Sequence, residues 1–128
     1  MSAKPTILIV EDSPTQALQI SRRIQSFGLR TVCSGDGLEA LQLVYSERPA
    51  LVILDVNLPG MDGFQVCTRV KRDPDMQHIP IIMLTSASSA ASTIHGLEVG
   101  ANDYIPKDTF AMDNLVAALT AYLKLPEI

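Results

Sequence analysis

Leu51-Val52-Ile53-Leu54-Asp55-Val56-Asn57-Leu58-Pro59-Gly60-Met61-Asp62-Gly63-Phe64 carries the pattern of a buried strand running into a helix. Its first four residues are continuously apolar rather than alternating, as a strand reads when both faces of a parallel sheet are covered. Asp55 closes the run, Asn-Leu-Pro-Gly supplies turn chemistry, and Asp62-Gly63 reads as the start of the next helix.

The same grammar extends in both directions. Apolar runs rich in β-branched residues predict further strands at Thr6–Val10, Leu29–Cys33, Ile79–Leu84 and Asp103–Ile105. The second and fifth of the five strands are more polar, as sheet edges tend to be. Helical periodicity fills the gaps. Ser13-Pro14 offers an N-cap and a proline at the first helical position, Ala17, Ile20, Ile24 and Phe27 share a stripe, and Gly28 ends it. Leu38, Leu41, Val44 and Tyr45 predict the second stripe, and Phe64, Cys67 and Val70 the third, stopped at Asp73-Pro74. A weaker helix surrounds Ile94 and Leu97, opening on a Ser/Ala run and containing Gly96. The fifth stripe is Met112, Leu115, Val116, Leu119, Tyr122 and Leu123. Strict strand–helix alternation implies an α/β fold, a five-stranded doubly wound parallel sheet with helices on both faces.

Composition narrows the function classes. The 128 residues are 47% hydrophobic and 19% charged, the profile of a globular chain. A net charge of -4 leaves no basic footprint for direct nucleic-acid binding. Cys33 and Cys67 are too few and too far apart for a disulfide framework or zinc knuckle, and both are expected as buried thiols of a reducing compartment. The run Ile7–Val10 is too short for a signal sequence or membrane span, so no membrane insertion and a cytoplasmic location are expected.

In open parallel sheets ligands bind beyond the carboxyl ends of the strands. There the chain places Glu11 and Asp12, then Asp55, then Thr85-Ser86-Ala87, then Pro106-Lys107. Three clustered carboxylates repel one another, and a hard divalent cation resolves this; an all-oxygen donor set suits Mg²⁺ or Mn²⁺. A carboxylate beside such a metal can act as nucleophile toward phosphorus. Lys107 would supply a compact positive charge to phosphoryl oxygens, and Thr85 a hydrogen-bond donor.

With ILIVEDS at the first strand, LVILDVNLPGMDGF around Asp55, IPIIMLTS at the fourth strand and GANDYIPK at the fifth, the chain resembles a response-regulator receiver domain, of chemotaxis or phosphorelay type, phosphorylated by sensor histidine kinases. The resemblance covers essentially the whole sequence, which reads as one domain, 1–128, either free-standing or part of a longer protein. It implies the flavodoxin-like strand order 2-1-3-4-5, Asp55 as phosphoacceptor, and a metal held by Glu11, Asp12, Asp55 and the backbone carbonyl of Asn57. It implies Thr85 and Lys107 as phosphoryl contacts, with Ser86 and the backbone of Ala87 nearby, and Tyr104 as an aromatic switch. The implied partners are a sensor histidine kinase or phosphotransfer protein, and a downstream target on the face of the fourth helix, fifth strand and fifth helix. The chain departs from the family at Glu11, where aspartate is commoner, and at Lys107-Asp108, where Lys-Pro is usual.

Blander readings compete. Glu11-Asp12 suits a helix N-terminus electrostatically, Asp55 could be a turn residue, and Ser86 could be only a helix cap. Lys107 could be a solvated surface lysine and Tyr104 a packing residue. His78 and His95 lack ligand spacing and are expected at the surface; Met61, Met76, Met83 and Met112 are expected as filler. Four function classes follow: a phosphorylation switch, a docking domain independent of phosphorylation, a metal-dependent aspartyl phosphatase, and a flavin-binding electron carrier. Asn57 stands where the phosphatase would place its second acid, and Glu11-Asp12 would repel the phosphate of a flavin carrier.

Overall fold

The computed structural model describes residues 5–86 and 90–124, with the backbone alone for 90–93. Strand β1 (Thr6–Val10) lies between β2 (Arg30–Ser34) and β3 (Leu51–Leu54), and β4 (Ile81–Thr85) and β5 (Asp103–Pro106) follow outward from β3. All pairings are parallel, in the order 2-1-3-4-5. The intervening helices are α1 (Pro14–Gln25), α2 (Gly37–Glu47), α3 (Gly63–Arg72), α4 (Ala90–Glu98) and α5 (Ala111–Leu123). This is the predicted flavodoxin-like arrangement.

The pleat divides the sheet's side chains between two cores. Leu8, Val10, Val52, Leu54, Ile81 and Met83 face α2 and α3, whereas Ile7, Ile9, Leu51, Ile53, Ile82 and Leu84 face α1 and α5. Every residue of β3 is buried, so LVIL is continuously apolar because neither face meets water.

Local chemistry starts the first three helices. Ser13 and Asp36 accept from the backbone N–H groups of Gln16 and Glu39, and Asp62 and Gln65 form a reciprocal capping box. The structure also corrects several expectations. β2 begins one residue later than predicted, at Arg30. β4 begins at Ile81 instead of Ile79, because Ile79 ends a turn through the buried Met76, and Pro80 has no N–H to offer a ladder. In α2 the inward stripe is Gly37, Ala40 and Val44; Leu38 is 58% exposed and Tyr45 41%. Gly37 sets this phase, since a Cβ there would lie 1.8 Å from the carbonyl oxygen of Met61. Ile94 and Leu97 of α4 likewise face solvent, with Gly96 turned to the protein. Tyr122 is exposed and donates to the carbonyl of Asn102 at 2.8 Å. Cys67 is buried as expected, but Cys33 is exposed on the edge strand. No cis peptide bond occurs among the described residues, so Lys107–Asp108 is trans.

Candidate functional site

The sheet ladder delivers the acids to one edge. The N–H of Asp55 donates to the carbonyl of Val10, and the N–H of Glu11 to that of Ser34, so both residues extend the ladder by one step beyond their strands. Glu11 and Asp55 are nearly fully buried, while Asp12, at the entrance to α1, is exposed. One carboxylate oxygen from each of Glu11, Asp12 and Asp55 lies within 4.8 Å of the others, a cluster able to hold a metal ion.

Lys107 reaches this cluster from the far side. Its N–H donates to the carbonyl of Thr85 at 2.9 Å, which fixes its backbone to the end of β4. Its Nζ donates to Glu11 Oε2 at 2.5 Å and to Asp55 Oδ2 at 2.9 Å. The second oxygen of Asp55 accepts the N–H of Asn57 at 3.2 Å, and Oε1 of Glu11 accepts that of Ser13 at 3.2 Å. Burial pushes the Glu11 carboxyl above its ordinary range, Asp55's charge adds to this, and the bonds from Lys107 and Ser13 pull the other way. For Lys107, burial works against the charged form, but the hydrogen bonds and charges of Glu11 and Asp55 outweigh it and raise the pKa.

Thr85 is fully buried at the end of β4, one strand over from Asp55. Tyr104 is half-buried on β5, opposite Met83 in register. Ser86 is exposed, and Asn57 is exposed after the turn begins. Ala87 lies outside the described residues, as do Ser88 and Ser89. His78 and His95 are exposed, the ring of His95 standing edge-on to Phe64 at 4.3 Å. Glu11, Asp12, Asp55 and Lys107 are thus brought into one cleft.

Two features escaped the sequence reading. The convergence of Lys107 on the acidic edge was expected, but its direct bonds to both buried acids, Glu11 and Asp55, were not. Gly63, read only as a helix start, lies against the backbone of the acid: a Cβ there would stand 2.2 Å from the Asp55 carbonyl oxygen. Its neighbour Asp62, a capping residue, was the available signal. Beside Lys107, residues Gln16 and Gln19 of α1 and Asp108, Thr109 and Met112 after β5 line a groove of about 320 Å³.

A doubly wound parallel sheet with buried acids, an exposed acid and a lysine at its carboxyl edge defines a flavodoxin-like α/β domain with an acidic cleft able to hold a cation. The chain belongs to the response regulator receiver domain family, whose pattern it matches over residues 7–120. The transcriptional regulatory protein TctD of Salmonella typhimurium is 39% identical over 118 residues, 92% of this chain and 51% of TctD. The chain spans about half the length of the curated relatives it matches. Among solved structures, the receiver domain of a signal transduction histidine kinase from Syntrophus aciditrophicus has a TM-score of 0.86 at 38% identity, covering 94% of this chain and 90% of that one. The receiver domain of the sensor histidine kinase PA1611 from Pseudomonas aeruginosa, solved with a magnesium ion in its active-site cleft, has a TM-score of 0.85 at 28% identity, covering 95% of this chain and 99% of that one. This is a receiver domain of two-component signalling, a switch family rather than a class of turnover enzymes.

Proposed function

We propose that this domain accepts a phosphoryl group on Asp55 from a phosphohistidine of a sensor kinase or phosphotransfer protein, and that the resulting charge changes the face formed by α4, β5 and α5. The observation that carries this is the hydrogen bond of Lys107 Nζ to Asp55 Oδ2, within a cleft where Glu11 and Asp12 approach the same carboxylate. An Asp55 oxygen attacks phosphorus, and the P–N bond to the donor imidazole breaks. The bonding pair returns to nitrogen, which takes a proton. Lys107 offers its charge to the phosphoryl oxygens, and Thr85 a hydroxyl.

The three carboxylates fit Mg²⁺ or Mn²⁺: the set is all oxygen, with Asp12 exposed to exchange water, and the carbonyl of Asn57 would complete the protein's share beside Glu11 and Asp55. Bound there, the ion neutralises charge on the acids and the transferring group. Leu18 on α1 and Phe110 after β5 are exposed, at 51% and 64%, on the two elements that line the groove beside Lys107. These surfaces suit an apolar docking contact with the phosphodonor. Tyr104, on the edge strand, is the residue through which added charge reaches the target-binding face. The setting is cytoplasmic, where the kinase's phosphoryl donor is present.

Incubation with Mg²⁺ and a small acyl phosphate, read by intact mass, tests the reading. A single phosphoryl adduct on the wild type, absent from Asp55→Asn and without Mg²⁺, is expected. No adduct on a folded, Mg²⁺-binding protein would replace this function with phosphorylation-independent docking.

A further inference from the structure

We infer that Gly96 is a positioning residue for Tyr104: the bare helix backbone at Gly96 is the seat that holds the Tyr104 ring while Asp55 is an unmodified carboxylate. The inference rests on the reading of Asp55 as phosphoacceptor and concerns how that modification is transmitted.

Gly96 lies in the interior of α4, where glycine is less favourable than alanine. Its backbone does not explain its presence, since the glycines at positive φ are Gly28, Gly60 and Gly100. Its surroundings do. A Cβ at position 96 would lie 2.7 Å from Tyr104 Cδ2 and 3.0 Å from Cε2, with Phe64 Cε1 at 3.5 Å. The tyrosine ring therefore rests directly on the helix backbone, with Phe64 beside it. Real Cβ atoms do not sit this close to carbon, so any side chain at 96 evicts the ring or displaces α4.

In this conformation Lys107 and the N–H of Asn57 occupy the two oxygens of Asp55. Ring seating and an unmodified Asp55 belong to the same state. A phosphoryl group that draws the ring off α4 breaks this contact, and a side chain at 96 breaks it beforehand. By linkage, disfavouring the seated state strengthens binding of whatever favours the other one.

The test uses beryllofluoride with Mg²⁺ as the phosphoryl mimic, titrated against wild type, Gly96→Ala, Tyr104→Ala and the double variant, with NMR spectra of each. The wild type is expected to show contacts between Tyr104 ring protons and the Gly96 Hα protons that vanish on beryllofluoride binding. Gly96→Ala should bind beryllofluoride more tightly, by about tenfold for an ordinary overpacking cost. In the Tyr104→Ala background the same substitution should leave affinity unchanged, because alanine's better helix propensity acts in both states and cancels. Persistence of the ring contacts in the bound wild type would overturn the inference. So would unchanged or weaker binding by Gly96→Ala, or equal effects in both backgrounds. A wild type that binds no beryllofluoride would instead remove the underlying reading of Asp55. Should Gly96→Ala perturb the fold, the wild-type ring contacts alone decide between the outcomes.

Discussion

Replacing Lys107 by methionine removes a cation bonded to both Glu11 and Asp55 and leaves two buried carboxylates facing each other. Removing one partner from a fully buried pair costs about 3–5 kcal/mol. The lysine side chain is 20% exposed, so water moderates the effect and about 3 kcal/mol is the expected loss at neutral pH. With a urea slope of about 2 kcal/mol per molar, typical of a domain this size, the unfolding midpoint should fall by about 1.5 M. The loss must depend on pH in a defined direction. The Glu11 pKa is already raised by burial above its ordinary 4.5, and losing the opposing lysine raises it further. A raised folded-state pKa means that the folded protein holds the proton more tightly than the unfolded chain. The deficit should therefore be small below 4.5 and develop as pH rises through the folded value. Mg²⁺ should recover stability in the variant at pH 7.5, because a divalent cation takes over the neutralising role. Urea titrations at pH 4 and pH 7.5, with and without Mg²⁺, measure all three effects. An equal deficit at both pH values with no response to Mg²⁺ would refute the electrostatic account of the cleft and reduce Lys107 to a packing residue.

Other consequences are as direct. Gly63→Ala drives a Cβ into the Asp55 backbone, which cannot move as a side chain can; a loss of at least about 3 kcal/mol, or roughly 10 °C in melting temperature, is expected by calorimetry, together with loss of the phosphoryl adduct. A thiol titration at pH 8 should find Cys33 reacting quickly and Cys67 only on unfolding, since Cys67 is buried with its pKa pushed up to about 11; two fast thiols would contradict the packing of α3. The Tyr45 hydroxyl donates to Asp73 at 2.7 Å and holds that carboxyl below its ordinary 3.8. The stability difference between wild type and Tyr45→Phe should be present above 3.8 and close as pH falls through the folded value, as denaturant midpoints across that range would reveal.

Sheet order and the acidic cleft were legible because they rest on strand-scale signals. Continuous apolar runs mark strands covered on both faces, and an acid at the end of such a run must emerge at the carboxyl edge. Helix faces were less legible where a stripe and a tight contact disagreed. Leu38 and Tyr45 are large and apolar, yet Gly37, Ala40 and Val44 take the inward face, because no Cβ fits at position 37 beneath the Met61 backbone. Ile94 and Leu97 mislead in the same way beside Gly96. Cys33 reads as buried from its apolar neighbours, but β2 is an edge strand and its burial is partial. The tie from Lys107 to Glu11 is a tertiary event: the two side chains meet beyond the ends of β3 and β4, which separate β1 from β5 in the sheet.

The cleft is built like a vice with one fixed jaw. Glu11 and Asp55 hang from β1 and β3, whose neighbours hold them on both sides, whereas Lys107 follows the four-residue edge strand β5. If Asp55 gains a phosphoryl group as proposed, relaxation of the site would come from the lysine's side, on the microsecond-to-millisecond scale of shifts in packed elements, with the acid side held in place. Under the proposed function, the acids would keep a constant grip on a bound cation while the outer edge adjusts, dividing sensing and reporting between the centre and the rim of a single sheet.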